Sequence, residues 1–289
     1  MARTEDQAIG DRAAPGAAGP TPYPAVNAAV GDLLAGMRRI LGESLRAMYL
    51  SGSLAQGDFS PDSSDIDLVV VTDADLPDHA FAALQALHAC FNAGDSPWAT
   101  WVEAAYIPLA ALRRYDPAHA HHPHIHGGAG EVLVRDQLAS DWVLQRAILR
   151  DHGVVVAGPP PANLIDPVSP DDMRRAVAAL MHHDWWEGKP VDPAPLRHRD
   201  YQAYAVLTMC RILYTLDAGA VVPKSVAARW ARIALPKRWD ALIVRALAWR
   251  KEDQRTPDGD VEETAALIQH VRDRCQRWEL AAPPRGRPS

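Results

Sequence analysis

The stretch from Tyr49 to Thr72 constrains the fold of this chain more than any other, because two short apolar runs flank a polar, glycine-bearing segment. Met48 to Ser51 stops at Gly52-Ser53, and Asp65 to Val71 ends in four apolar residues, so both read as buried strands joined by a small loop. Residues i and i+2 of a strand share a face. Asp65 and Asp67 therefore put two carboxylates on one side, while Ile66, Leu68 and Val70 turn to the other. Like charges this close shift one another's pKa unless a cation lies between them, and hard oxygen donors at that separation suit Mg2+ carrying a phosphate. Gly52 permits close backbone approach to an anion, and Ser53 adds a hydroxyl beside it. Taken singly, an Asp-x-Asp is as readily a solvated strand end, and a Gly-Ser an ordinary turn.

Around this stretch the pattern alternates between helices and strands. Val26, Val30, Leu33, Leu34, Met37, Ile40, Leu41 and Leu45 recur at helical spacing, and Pro77 to Phe91 repeats the pattern, with His88 at that helix's boundary. Trp98 to Pro108 alternates as a strand with Trp101, Glu103 and Ala105 on one face. A carboxylate inside an apolar strand is costly unless paired, metal-bound or protonated, or unless an edge strand turns it to water. His119 to His126 is dense in imidazole, but the Pro and Gly around it indicate a mobile loop, not a fixed metal site. A helix is expected from Asp136 to Asp151 and a last strand at Val154 to Ala157, before a proline run at 159 to 161. From Ser169 onward only helices follow, the first with a Ser cap, Pro170 in its first turn and Asp171-Asp172 against its dipole.

Length bounds the chain at about two domains. Its 289 residues carry a net charge of -6, which argues against a nucleic-acid partner, since phosphate-backbone binding needs clustered Lys and Arg. Cys90, Cys210 and Cys275 are odd in number and far apart, so a disulfide framework is not expected and a cytoplasmic location is. No stretch has the apolar length to span a bilayer. Residues 1–20, rich in Ala, Gly and Pro, are expected to be a disordered leader, and 281–289 a disordered tail.

Gly52-Ser53, a second glycine at Gly57, and then Ser64-Asp65-Ile66-Asp67 opening an apolar strand together resemble the signature of the nucleotidyltransferase superfamily that includes DNA polymerase beta. A narrower likeness follows from the helical half. Leu207 to Tyr214, then Pro223-Lys224 and Val226 to Trp230, with Asp151-His152-Gly153 and Leu164 to Val168 upstream, resemble the aminoglycoside (3'')(9) adenylyltransferases. The resemblance covers roughly residues 45–275. It implies an α+β nucleotidyltransferase domain over 21–158, a mixed sheet with helices, and an all-α domain over 159–280. By the same likeness Asp65 and Asp67 would hold Mg2+, Glu103 would be the catalytic base, and Gly52, Ser53, Ser64, Asp141, Arg211, Lys224 and Trp249 would bind the ATP. The acceptor would be a cationic aminoglycoside or aminocyclitol. Another small-molecule or protein hydroxyl, or a non-catalytic nucleotide-binding role, stays open. Relatives that use streptomycin carry an acid ten positions before the helix arginine; here that position is Tyr201, with Asp200 one residue away and rotated about 100 degrees off the face. The resemblance therefore implies a preference for spectinomycin.

Overall fold

The computed structural model describes residues 19–183, 185, 191–249 and 258–282. Residues 1–18 of the expected leader and 283–289 of the expected tail lie outside them. The chain opens with α1 (Pro24–Leu41) and β1 (Leu45–Leu50), then α2 (Gly52–Gln56), β2 (Ile66–Thr72), α3 (Asp78–Asn92) and β3 (Val102–Pro108). It continues through α4 (Leu109–Arg113), β4 (His121–Ile125), β5 (Val134–Gln137), α5 (Trp142–His152) and β6 (Val154–Ala157). The six strands form one mixed sheet in the order β5-β4-β3-β2-β1-β6. Only β2 and β3 run parallel, which requires the crossover that α3 supplies.

Strand parity sorts the core into two layers. Met48, Leu50, Ile66, Leu68, Val70, Val102, Ala104 and Tyr106 pack beneath α1 with Leu84 of α3. The opposite set, Ala47, Tyr49, Val69, Val71, Ala105 and Ile107, packs against Leu112 of α4 and Trp142 and Leu149 of α5. Covering both faces is what makes the strands read as nearly continuous apolar runs. Asp65, Asp67 and Glu103 share the parity of the second set.

Four local expectations are corrected. The segment after Ser51 is not a loop: Gly52–Gln56 forms a short helix closed by Gly57 in the left-handed region at φ 70. The expected mobile histidine loop contains β4, because residues 121–125 pair with both β3 and β5. The helix expected from Asp136 begins at Trp142, since Arg135 and Asp136 are held in the β5 pairing. His88 is not at a boundary. It is buried, and its Nε2 lies 2.7 Å from the Tyr106 hydroxyl.

The second half comprises α6 (Pro170–His183), α7 (Arg199–Ala218), α8 (Lys224–Ala234), α9 (Asp240–Ala248) and α10 (Asp258–Ala281). The Ser169 hydroxyl accepts from Asp172 N–H at 3.1 Å, so the expected cap of α6 forms. Central α7 buries Val206, Met209, Cys210 and Leu213 against Ala227, Ala228 and Ala231 of α8 and Leu267, Ile268 and Val271 of α10. Small alanines let α8 approach α7 closely. The two halves are tied by the Ser225 hydroxyl donating to Asp58 at 2.6 Å. No described helix is long and apolar enough to cross a membrane.

The His88–Tyr106 pair gives a stability prediction. Removing the hydroxyl in Tyr106→Phe leaves a buried imidazole nitrogen unsatisfied, so the unfolding free energy measured in urea should fall by about 1–3 kcal/mol. Burial pushes His88 down from 6.5 to about 4, so the unfolded imidazole takes up its proton first. This contribution is therefore complete above pH 6.5 and should be lost as pH falls towards 4.

Candidate active site

Asp67 and Glu103 are register partners in the parallel β2–β3 pairing, so their carboxylates stand side by side on one sheet face. Asp65 precedes them at the mouth of β2, two residues from Asp67 and on the same side. Beyond Val69 and Ala105 the apolar cover of this face ends, and Lys224 and Arg211 of the helical half act on the acids instead. Burial is the main cause that raises Asp67 to about 7, with Glu103 and Asp65 adding repulsion and Lys224 and Arg211 partly opposing it. Burial, then Arg211, brings Lys224 down to about 8, while Asp67, Glu103 and Asp65 pull it the other way. Three acids and two bases thus form one electrostatic cluster drawn from both halves of the chain.

Gly52 sits against this cluster. Its φ is +54, and a Cβ built there would lie 1.9 Å from Asp67 Oδ2, so no side chain fits at position 52. The glycine does lie against an anion, and that anion is the protein's own carboxylate. Ser51 N–H donates to the Asp67 carbonyl at 2.9 Å, which ties the start of α2 to β2. Ser53 lies in α2, and its carbonyl accepts from Asp58 N–H at 3.0 Å. The Ser64 hydroxyl accepts from Ser60 N–H at 3.0 Å and closes the turn that leads into Asp65. The donor set fits a hard divalent cation, being made of carboxylate oxygens whose mutual repulsion such a cation would relieve.

Asp141 and Arg211 line a small pocket of about 20 Å³ between α5, α6 and α7, with Leu144, Val177 and Thr208 on its wall. Trp249 is not on that wall. It follows α9 and packs against the helical core. Beside this pocket Trp185 stacks with Tyr204 at 6.2 Å, Tyr201 lies 5.9 Å from Tyr204, and the Lys224 ammonium sits 4.6 Å over the Tyr204 ring. Asp200 turns its carboxylate onto Tyr201 N–H at 2.7 Å.

Two neighbours of Glu103 were not among the expected site residues. His124 is paired with Ala105, and the antiparallel register carried one step further sets His126 opposite Glu103. Ligand atoms of Glu103, His124 and His126 all lie within 4.8 Å of one another. The two rings meet edge to face at 4.2 Å. Burial, then the charge of His126, pushes His124 down to about 4. Gly127 N–H donates to Glu103 Oε1 at 3.4 Å. The available signal was the alternation His122-Pro123-His124-Ile125-His126, which is period two inside a segment dominated by its loop composition.

Asp67 yields a prediction with opposite signs for stability and binding. Its folded pKa of about 7 exceeds the ordinary 3.8, so it costs stability increasingly as pH rises through that window. Asp67→Asn should therefore raise the Tm of the metal-free protein at pH 8 by about 2–4 °C, the shift that roughly 1 kcal/mol produces at this size. The same variant should lose Mg2+-dependent ATP binding in titration calorimetry. Retention of that binding would remove Asp67 from the metal site.

Comparison with known proteins agrees in both halves. Residues 33–97 match the nucleotidyltransferase domain model, and residues 163–274 match the model of the aminoglycoside adenylyltransferase C-terminal domain. Aminoglycoside (3'') (9) adenylyltransferases of Klebsiella pneumoniae and Escherichia coli are each 27% identical over 231 residues, 76% of this chain and 84% and 83% of theirs. The one from Rhizobium radiobacter is 30% identical over 114 residues, 38% of this chain and 39% of its own. The solved structure of spectinomycin adenyltransferase AAD(9) from Enterococcus faecialis, with ATP and spectinomycin, shares the fold. Its TM-score is 0.67 at 18% identity, covering 86% of this chain and 98% of that one. With a nucleotidyltransferase domain and an aminoglycoside adenylyltransferase C-terminal domain matched in order on one chain, this protein is an enzyme of the nucleotidyltransferase class, similar over most of its length to the aminoglycoside (3'')(9) adenylyltransferases.

Proposed function

We propose that the enzyme transfers AMP from ATP to a hydroxyl of a cationic aminoglycoside or aminocyclitol in a Mg2+-dependent reaction that releases pyrophosphate. The observation that carries this reading is the Asp67–Glu103 row on β2 and β3 facing Arg211 and Lys224 from the helical half. Asp65 and Asp67 would hold Mg2+, which when bound supplies charge neutralisation on the triphosphate oxygens. Gly52 and Ser53 start α2 beside Asp67, and Ser64 closes the turn before Asp65, so all three border the phosphate site. Arg211 and Lys224 hold the phosphates and stabilise the charge that develops on the departing pyrophosphate. Asp141 lines the small pocket that Arg211 shares, and we assign these two side chains to the edge of the nucleotide site; the assignment of Trp249 to the nucleotide rests on the family resemblance alone.

Glu103 is the base in this scheme. It takes the proton from the acceptor hydroxyl as that oxygen attacks the α-phosphorus. The names of the curated relatives, and the spectinomycin bound to the AAD(9) neighbour, support an aminocyclitol-containing acceptor. Trp185, Tyr201 and Tyr204 offer ring faces beside the site on which such a molecule can lie. The net charge of -6 favours a cation approaching it.

Two measurements test the scheme. Glu103→Gln keeps the shape but cannot accept a proton, so turnover should fall about 10²- to 10⁴-fold with ATP affinity little changed. A variant that kept most of its rate would place the base elsewhere. For the acceptor, the position ten residues before Arg211 holds neutral Tyr201 and Asp200 lies about 100 degrees round the helix, so a guanidinium has no charge-assisted contact at that position. Losing such a contact costs roughly 1.5–3 kcal/mol, so kcat/KM should be about ten- to a hundredfold higher for spectinomycin than for streptomycin. Preference for streptomycin would assign the contact to exposed Asp192, whose charge reaches Tyr201.

A further inference from the structure

We infer that Glu103, His124 and His126 form a second cation site, selective for a transition ion of the Zn2+ class, and that its occupation withdraws Glu103 from proton transfer. The first half stands on geometry alone; the second rests on the function proposed above. His124 and His126 are two residues apart on one face of β4 and its end, and Glu103 projects from the neighbouring strand on the same face. All three donor atoms lie within 4.8 Å of one another. In a tetrahedral site with ligands at about 2.1 Å from the ion, donors lie about 3.4 Å apart, so the three donors need to draw in by no more than about 1.4 Å. Three protein ligands leave a position open for water or substrate. His126 is exposed and gives the ion a route in.

The chemistry of the donors separates this site from the Asp65–Asp67 pair. Mg2+ is a hard cation that favours oxygen and sheds water reluctantly, whereas imidazole nitrogen suits zinc and its neighbours in the transition series. Asp136 of β5, the register partner of His122, adds a negative charge that favours a cation near His124. Glu103, the base of the proposed transfer, is a ligand in this site. A carboxylate bound through one oxygen to a transition ion loses much of its basicity, so the two roles compete.

The test uses the full chain, stripped of metal with a chelator and free of nucleotide, so that its outcome does not depend on catalysis. ZnCl2 is titrated in competition with a chromophoric chelator, and MgCl2 is titrated separately. The expected result is one high-affinity zinc per chain, weakened at least about 100-fold in His124→Gln/His126→Gln, beyond the 10- to 100-fold typical of an outer-shell change. His119→Gln/His121→Gln, which alters exposed imidazoles of the same segment, should leave it in place. Equal zinc affinity in the first double variant, or none in the parent chain, overturns the site. Should half-buried His124 prove necessary for folding, exposed His126→Gln alone carries the same comparison. The second half is read as the ratio of pyrophosphate release with and without zinc at saturating Mg2+. Zinc should inhibit the parent, and His126→Gln should abolish most of that inhibition. Zinc that binds without inhibiting leaves the site standing and overturns its competition with the base.

Discussion

The rest of the structure answers one repulsion: two carboxylates held side by side at matching positions of adjacent parallel strands, with a third at the mouth of one of them. Parallel pairing is what aligns Asp67 with Glu103, and it exists only because α3 carries the chain over the sheet between β2 and β3. Apolar cover on that face has to stop short of the acids. The helices that pack on Val69, Val71, Ala105 and Ile107 do so, and the exposed end is closed by a second, helical unit that brings Lys224 and Arg211. Neither half has a complete charge balance alone. The Ser225–Asp58 hydrogen bond at the start of α8 fixes the distance at which the balance is struck.

The same constraint explains the backbone around Gly52. A chain leaving β1 must turn directly over the Asp67 carboxylate, and the space there excludes even a methyl group. A left-handed glycine followed by one short helix is a compact way to reverse direction while Ser51 N–H stays bonded to the Asp67 carbonyl. The site is therefore built from strained and repelling parts. The neutral layers on either side, Met48 to Val70 beneath α1 and Val206 to Val271 around α7, carry the stability that holds them in place.

Period-two alternation made the key features legible before any coordinates. Asp65 and Asp67 had to share a face opposite Ile66 and Leu68, and Glu103 had to oppose Val102 and Ala104. What alternation does not contain is which strand lies beside which. The juxtaposition of Asp67 with Glu103, and of Glu103 with His126, is a property of sheet order; family resemblance implied the first and nothing in the sequence implied the second. His124 and His126 were hidden differently. Proline and glycine around them resemble loop composition, while the strand is imposed by its two pairing partners, β3 and β5. α2 was misread because Gly52-Ser53 is good turn chemistry when tertiary packing is ignored. His88 was misread because its partner, Tyr106, lies on a strand that helical periodicity cannot foresee.

Charge arithmetic at the cluster sets an order of events for the proposed reaction. Three carboxylates against Lys224 and Arg211 leave the site net negative, so a bare triphosphate is repelled and an isolated acceptor cation can lodge among the acids unproductively. Asp65 and Asp67 would hold a divalent cation, whose charge would reverse the sign and make the same cluster a phosphate site. Once a nucleoside triphosphate is seated it brings more negative charge than that cation removes, and the field again favours a positively charged molecule, now next to the reacting phosphorus. Glu103, the proposed base, lies on β3, the strand next to β4. The imidazoles of His124 and His126 stand beside it, so the residue proposed to remain uncoordinated is also the one open to capture by a softer ion.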